Sequence, residues 1–429
     1  MKQDCWRKLV WDGLAVHYHE IALKGQNRRF FRRRLLERLQ AVLADQDLTV
    51  QDRLDHLFIP LRPDHLDEAL QRTSRVFGVA YAVPVRLLPR SAEAMVEAAL
   101  ALYHTLSGPD RPAIAVRVHR SDKGFPLSSR ELERLIGRRL VEVAGAPVRL
   151  SQPDLEIRFR VQPHAVYLLG PKWRGPGGLP VGVTGRVLVL FSGGIDSSVV
   201  GWLLMRRGCT VDFVHFHAFP SAEPVRTSKI PQMIAQLVRD QGLRARLFAV
   251  PYHVFQLALL AHPVPPDLEL VLFRRFMVRV ASRLARAHGY RALATGDNLG
   301  QVASQTLESL IALEEAAELP VFRPLLTYNK PDIIALAQQI GTYRWAVQPY
   351  KDCCSLIARR PDTRPRLERV HEAEARLPLE EMIGRTLRSV VFWRLPEDGT
   401  QSSQASAEGG KASARPQGIG QPQAQPGQG

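Results

Sequence analysis

The stretch VLVLFSGGIDSSVVGWLL, residues 187–204, constrains the fold more than any other part of the chain. Five apolar residues in a row, Val187 to Phe191, with no polar alternation, read as a strand buried on both faces, as in a parallel sheet between helices. Ser-Gly-Gly breaks the run, and apolar residues then resume with helical spacing. A strand that ends in a glycine turn and feeds a helix presents backbone N–H groups at the helix N-terminus, which makes an anion site. Gly193 and Gly194 let a phosphate approach the backbone closely, and Ser192 and Ser197 add hydroxyl donors.

Two common phosphate loops are excluded. The chain has no GxxxxGK[ST] and no GxGxxG at this position, so neither a Walker A loop nor a dinucleotide fingerprint is present. SGGxDS is instead the pyrophosphate-binding signature of adenylating enzymes. Asp196, an acid beside a phosphate site, suits a Mg²⁺ contact or ordering of the loop. Further strand-like runs, TVDFVHFHAF, RARLFAV and RALATG, alternate with helical segments, so residues 187–395 read as an α/β domain with a doubly wound parallel sheet.

Upstream, residues 1–75 carry a strand-like start, a basic helix and LDHLFIPL. Residues 76–168 alternate strands (AIAVRV, LEIRFRV, AVYLL) with helices (SAEAMVEAALALYHTL, SSRELERLIGRRLVEVAG), an α+β pattern. The Gly- and Pro-dense segment 169–186 reads as a linker, and the polar tail 396–429 as disordered. Lys and Arg total 58 against 42 acidic residues, a formal charge of +16, which favours a polyanionic partner. Across NRRFFRRRLLERL, Phe31, Leu35 and Leu39 form an apolar stripe that leaves Arg28, Arg29, Arg32 and Arg33 off the core. Arg275, Arg279 and Arg283 make a second basic row, open to RNA or to water. With no transmembrane-length apolar run and no signal peptide, the expected location is cytoplasmic, with no membrane partner. Cys5, Cys209, Cys353 and Cys354 match no zinc spacing, and Cys209 reads as core.

Several separate stretches together resemble the tRNA uridine 4-sulfurtransferases, also called tRNA 4-thiouridine synthetases. They are YHEIALKGQNRRFF, RSDKGFPLSSRELERLIG, GPGGLPVGVTG, ATGDNLGQVASQTLESL, FRPLLTYNKPDIIALAQQIGTY and PYKDCCSLIARRPDTRP, in order across about residues 18–366. The resemblance implies a ferredoxin-like domain, a THUMP domain that binds tRNA, and a pyrophosphate-loop ATPase domain of the adenine nucleotide α-hydrolase-like type. It also implies ATP and Mg²⁺ as cofactors, and pairing into a homodimer. Carried over where motifs match, the nucleotide set is Leu190, Phe191, Ser192, Gly193, Gly194, Asp196, Ser197, His215, Phe216, Arg274, Gly296 and Gln305. Gln301 and Gln305 are expected on one helix face behind an Asp297/Asn298 cap.

The family's sulfur-handling cysteine matches Cys354, with Lys351, Arg359 and Arg360 favouring its thiolate. The reaction implied is adenylation of uridine 8 at O4, followed by displacement of AMP by a persulfide sulfur. Asp196 and Cys354 are then the catalytic residues. Longer members append a rhodanese domain; here only the polar tail follows residue 395, with no cysteine after Cys354, which points to a cysteine desulfurase or another persulfide carrier as donor and weakens any link to thiamine thiazole synthesis. Ser198 stands where the family usually has proline, and Asp297 where glutamate is commoner. The rival readings are an amide-forming synthetase of the same loop class and an inert tRNA-binding protein.

Overall fold

Alternating apolar residues build the first of two units into which the chain divides, residues 1–180 and 181–429. The structure, a computed structural model, describes residues 6, 9–53, 55–107, 111–350, 353, 357, 361–397 and 417–418. In the first unit the strands are β1 (Gly13–His17), β2 (Gln51–Asp52), β3 (Leu57–Pro60), β4 (Tyr81–Leu88), β5 (Ile114–Arg120), β6 (Leu155–Val161), β7 (Val166–Leu169) and β8 (Trp173–Arg174). They form one sheet in the order β2-β3-β1-β4-β7-β6-β5, with β8 on β4. Among the strands of the described residues in this unit, only β5 and β6 pair in parallel. Leu14, Val16, Ile59, Ile157 and Phe159 pack with Leu35 and Leu39 of the helix Arg28–Val42, Met95 and Leu102 of Ala92–Leu106, and Leu132 and Ile136 of Ser129–Ala144. Ala15, Phe58, Val83, Val85 and Tyr167 form a smaller cluster apart from it.

Local signals set the helix ends here. Ser128 and Glu131 close a capping box on Ser129–Ala144, and Gly145 ends that helix with φ +62°. The apolar stripe of Arg28–Val42 buries Leu35, Leu39 and Val42, with Phe31 only partly covered. The segment read as a linker is ordered in part: β8 pairs with Tyr81 and Ala82, and Gly175 N donates to Ala80 O at 2.9 Å.

The second unit holds β9 (Arg186–Leu190), β10 (Thr210–His217), β11 (Ala245–Pro251), β12 (Ala292–Ala294), β13 (Val321–Phe322), β14 (Val391–Leu395) and β15 (Gln417–Gly418). Their order is β13-β12-β9-β10-β11-β14-β15. The five from β13 to β11 run parallel, and the last two are antiparallel additions at one edge. β15 falls within the tail expected to be disordered, whose residues 398–416 and 419–429 lie outside the described set. The core gathers Leu188, Val214, Phe248, Phe273, Phe276 and Leu293. At the N-terminal ends of the strands, Asp212 accepts from Arg246 N (2.6 Å) and Tyr290 Oη (2.6 Å) and pairs with Arg186 (3.3 Å). Among the described residues no helix is long and apolar enough to cross a membrane.

Candidate active site

The first strand of the second unit, β9, lies in the middle of its sheet. The chain builds outward through β10 and β11, then crosses back to lay β12 on the other side of β9. Strand order therefore reverses between β9 and β12, and the loops leaving their carboxyl ends part to opposite faces. A crevice at such a switch point is where open α/β sheets hold ligands.

Residues 191–194 leave β9 and open the helix Ile195–Arg206. Gly194, the N-cap, has extended backbone (φ −85°, ψ 176°), and no side chain caps the helix. The first-turn N–H groups thus lack a side-chain acceptor, the condition for anion binding. Ser192 Oγ accepts from Gly194 N at 3.2 Å, and Ser197 Oγ donates to Gly194 O at 3.1 Å, so both hydroxyls brace the turn. Gly193 has φ +82°, and a Cβ there would fall 2.2 Å from Ile230 Cδ1. Gly296, after β12, is less tightly confined: its Cβ would lie 3.2 Å from Asp196 Cβ and Ser197 N. The two switch-point loops therefore touch at Gly296. Ser198 Oγ donates to Ile195 O at 2.8 Å and shares a 3.0 Å hydrogen bond with Thr342 Oγ1, a use that proline would not allow.

Asp196 stands in the first helical turn. Lys330 Nζ contacts both its oxygens, at 2.7 and 2.9 Å, and Gln301 Nε2 donates to Oδ2 at 3.1 Å. Lys330 was not singled out from the sequence, although a signal existed. It is the first residue of the helix Lys330–Gln339, where a cation opposes the helix dipole and so invites a separate explanation. Both oxygens of Asp196 are thus engaged, tying the first helical turn to Gln301 and Lys330. Among the described residues no cluster of three metal-ligating side chains exists. A Mg²⁺ here would take Asp196 as one ligand, with phosphate oxygens and water as the others, which suits that ion.

The carboxyl end of β10 supplies the second wall. His215 is buried, with Nδ1 2.7 Å from Phe191 O and Nε2 2.8 Å from Tyr350 Oη. Burial lowers its pKa to about 4, the Phe191 carbonyl opposing, so the ring is neutral near pH 7. The neutral ring donates from Nδ1 to the carbonyl, and Nε2 accepts from Tyr350. His217, two residues on, is likewise lowered to about 4 by burial. Phe191 N donates to Val214 O at 2.8 Å, and its ring meets Phe213 edge-on at 5.1 Å. Phe191 and the half-buried Leu190 are thus part of the packing under the turn. Cys353 Sγ donates to Phe216 O at 3.4 Å in a buried setting, so the first cysteine of the pair is anchored on β10. Cys354, with Lys351, Arg359 and Arg360, lies outside the described residues. Cys209 is buried, accepting from Thr184 Oγ1 at 3.3 Å.

The segment from Gly296 to Thr306 departs from expectation. It is irregular, and the next helix, Leu307–Glu315, is capped by Thr306, whose Oγ1 accepts from Ser309 N. Asp297 and Asn298 do not cap it because tertiary partners claim their side chains. Asp297 meets Arg274 and Thr295 Oγ1 (2.7 Å), and Asn298 Nδ2 donates to Tyr328 O (2.6 Å). Burial would raise Asp297, but Arg274, Thr295 and Arg323 together hold its carboxyl below the usual range. Arg274 also donates to Ser304 O, and so ties the loop carrying Gln305 to the helix Glu269–Ala287. Gln301 and Gln305 therefore share no helix face, yet Oε1 of each is buried with no hydrogen-bond partner among the described residues. Such orphaned acceptors, beside an uncapped helix start and a glycine with no room for Cβ, fit a nucleotide that brings both phosphate and N–H or O–H donors.

The basic row on the helix Glu269–Ala287 is not a phosphate surface. Arg275 is buried and forked onto Glu374 (3.0 and 2.7 Å), with Glu315 at 2.9 Å. Arg279 pairs with the same Glu374, and Arg283 with Glu318 and Glu380. In the first unit, Arg32 is paired with Asp52 and Arg33 with Glu37, while Arg29 is exposed.

The chain is similar to known proteins over most of its length. A family model described as thiamine biosynthesis protein (ThiI) matches residues 182–379, the ThiI ferredoxin-like domain matches 14–82, and the THUMP domain matches 89–169. A probable tRNA sulfurtransferase of Thermus thermophilus is 42% identical, over 89% of this chain and 94% of its own. Another, from Lysinibacillus sphaericus, is 34% identical over 92% of this chain and 98% of its own. A crystal structure of a 4-thiouridine synthetase–RNA complex with bound ATP matches with a TM-score of 0.81 at 29% identity, covering 90% of this chain and all of that one. With similarity of this extent, the chain belongs to the tRNA sulfurtransferase family.

Proposed function

We infer that this chain catalyses the ATP-dependent thiolation of tRNA, converting uridine 8 to 4-thiouridine. The observation that carries the reading is the uncapped helix behind Gly193, with Asp196 clamped by Lys330 at the switch point. ATP is the activating substrate. Its phosphates meet the first-turn N–H groups, and Leu190, Phe191, His215, Phe216, Arg274, Gly296 and Gln305 shape the remainder of its site. Asp196 orders the turn and offers one ligand to a Mg²⁺ that travels with the phosphates.

Uridine O4 attacks the α-phosphorus. An O–P bond forms, the bond to pyrophosphate breaks, and the N3 proton is lost to solvent water, which leaves the adenylated ring neutral. Donors fixed at the loop stabilise the charge on the departing pyrophosphate. The outer sulfur of a persulfide on Cys354 then attacks C4, the C4–O bond breaks and AMP leaves. An external thiol cleaves the S–S bond, releasing the thiolated base and leaving Cys354 in a disulfide with that thiol. Cys353, anchored to Phe216 O, is not the carrier. A cysteine desulfurase or another persulfide protein loads Cys354, in the cytoplasm where tRNA is found.

Cys354→Ser tests the division of labour. The variant is expected to release pyrophosphate on addition of tRNA and ATP but to form no 4-thiouridine. Full thiolation by Cys354→Ser would refute the sulfur route, and no tRNA-dependent pyrophosphate from the wild type would refute the activation step.

A further inference from the structure

Gln301 Oε1 is closed off from solvent and has no hydrogen-bond partner among the described residues. Which end of this carboxamide is free follows from its neighbour. Nε2 lies 3.1 Å from Asp196 Oδ2, and a carboxylate only accepts, so nitrogen faces Asp196 and oxygen is the unmet end. Asp196 is itself held by Lys330 and rides on the first turn of the helix Ile195–Arg206. The orphaned oxygen therefore sits one side chain away from the start of the helix where phosphate would bind.

A carbonyl-type oxygen accepts hydrogen bonds and cannot donate one, so it does not serve the oxygens of a triphosphate. It calls for an N–H or O–H. The uracil ring carries one donor, N3–H, adjacent to the C4=O4 group that reacts. Cytosine has a bare acceptor at the same ring position. An acceptor fixed beside Asp196 would therefore prefer uracil and turn its O4 toward the bound phosphates. Entry of the base requires the Gly296–Thr306 segment to shift. Within it the stretch between the anchored Asn298 and Ser304 is irregular and exposes Leu299, Gly300, Val302 and Ala303, so that stretch can move without opening a core.

We propose that Gln301 determines specificity for the reacting base: with its amide nitrogen pinned to Asp196, its carboxamide oxygen receives the N3–H of the uracil being activated. This rests on the thiolation reading above. Gln305 Oε1, four residues along, is left for a donor on the nucleotide.

The test is single-turnover pyrophosphate release on transcripts bearing uridine or N3-methyluridine at the thiolated position, with ATP affinity measured separately. Gln301→Leu is expected to slow the uridine substrate about 10- to 100-fold, the loss of one buried hydrogen bond, with ATP Kd within about twofold of wild type. The penalty for N3-methylation, large in wild type, should shrink by the same factor in Gln301→Leu, because the chemical part of that penalty cancels in the ratio. Gln301→Asn, which keeps a shortened carboxamide, should fall between the two. Equal N3-methyl penalties in wild type and Gln301→Leu would overturn the assignment. So would a loss of ATP affinity as large as the loss of rate, which would hand the oxygen to the nucleotide. A wild type that releases no pyrophosphate with any tRNA would instead refute the thiolation reading, and this inference with it.

Discussion

Gly193→Ala puts the geometry of the loop to a quantitative test. Gly193 has φ +82°, where an L-residue is strained by about 1–2 kcal/mol. The added Cβ would also arrive 2.2 Å from Ile230 Cδ1, and Ile230 is fully buried at the start of the helix Lys229–Arg239. Moving that side chain away within a packed core costs about 1–3 kcal/mol. The folded state should therefore lose about 2–5 kcal/mol, or about 5–15 °C in the melting temperature of a unit this size. If the loop yields instead of Ile230, the stability loss is smaller but the turn no longer aims its N–H groups together, and ATP binding falls. Gly194→Ala is the control for stability alone: its φ of −85° suits alanine, and its Cβ would meet only Ser192 Oγ at 3.3 Å. Differential scanning calorimetry and ATP titration on both variants separate the outcomes. A Gly193→Ala protein that melts within a degree or two of wild type and binds ATP equally well would refute the reasoning.

Lys330→Met should lower kcat/KM for tRNA-dependent pyrophosphate release by about 10- to 1,000-fold, as for loss of a preorganised charge. Because Lys330 is 39% exposed, its melting temperature should change little, corresponding to under about 1 kcal/mol. Arg275→Met strands Glu374 in the core beside Arg279 alone and should cost about 3 kcal/mol or more in urea unfolding, while the salt dependence of tRNA binding stays unchanged. A shallower salt slope would reinstate that row as an RNA contact. His215 and His217 titrate near 4 when folded, against 6.5 for the free side chain. The unfolded chain thus binds protons first as pH falls. The stability that these neutral rings contribute is complete above pH 6.5 and lost toward pH 4. Each should remove about 1–2 kcal/mol between pH 7 and pH 5, and His215→Phe should flatten that slope by close to one proton.

Features written in neighbouring residues were legible in advance. The apolar run into Ser-Gly-Gly announced β9, its turn and its helix, and the stretch SSRELERLIGRRLVEVAG announced the helix Ser129–Ala144, because such patterns are written in residues close along the chain. The pairs that make the site depend on contacts far along the chain. Lys330 meets Asp196 across 134 positions, and Tyr350 meets His215 across 135. No spacing rule reaches that far. The helix expected at Gln301 and Gln305 failed for the same reason: distant Arg274 and Tyr328 occupy the side chains that would have capped it. By period alone the arginines at 275, 279 and 283 made a row open to RNA or to water, and only folding brought Glu374, Glu315, Glu318 and Glu380 against them. Composition was also blind to strand pairing. β4 joins β1 on one side and β7 on the other, so no break in the sheet separates the first 75 residues from the next 93.

At the root of the account is a carbonyl oxygen of a tRNA base exchanged for sulfur at the expense of one ATP cleaved to AMP. Unmodified tRNA incubated with this protein, ATP, a cysteine desulfurase, cysteine and a thiol reductant, then digested to nucleosides, reads that out directly. The account predicts 4-thiouridine and AMP in equal amounts, both abolished by omitting ATP. AMP without 4-thiouridine in the complete mixture, or 4-thiouridine formed without ATP, would contradict it.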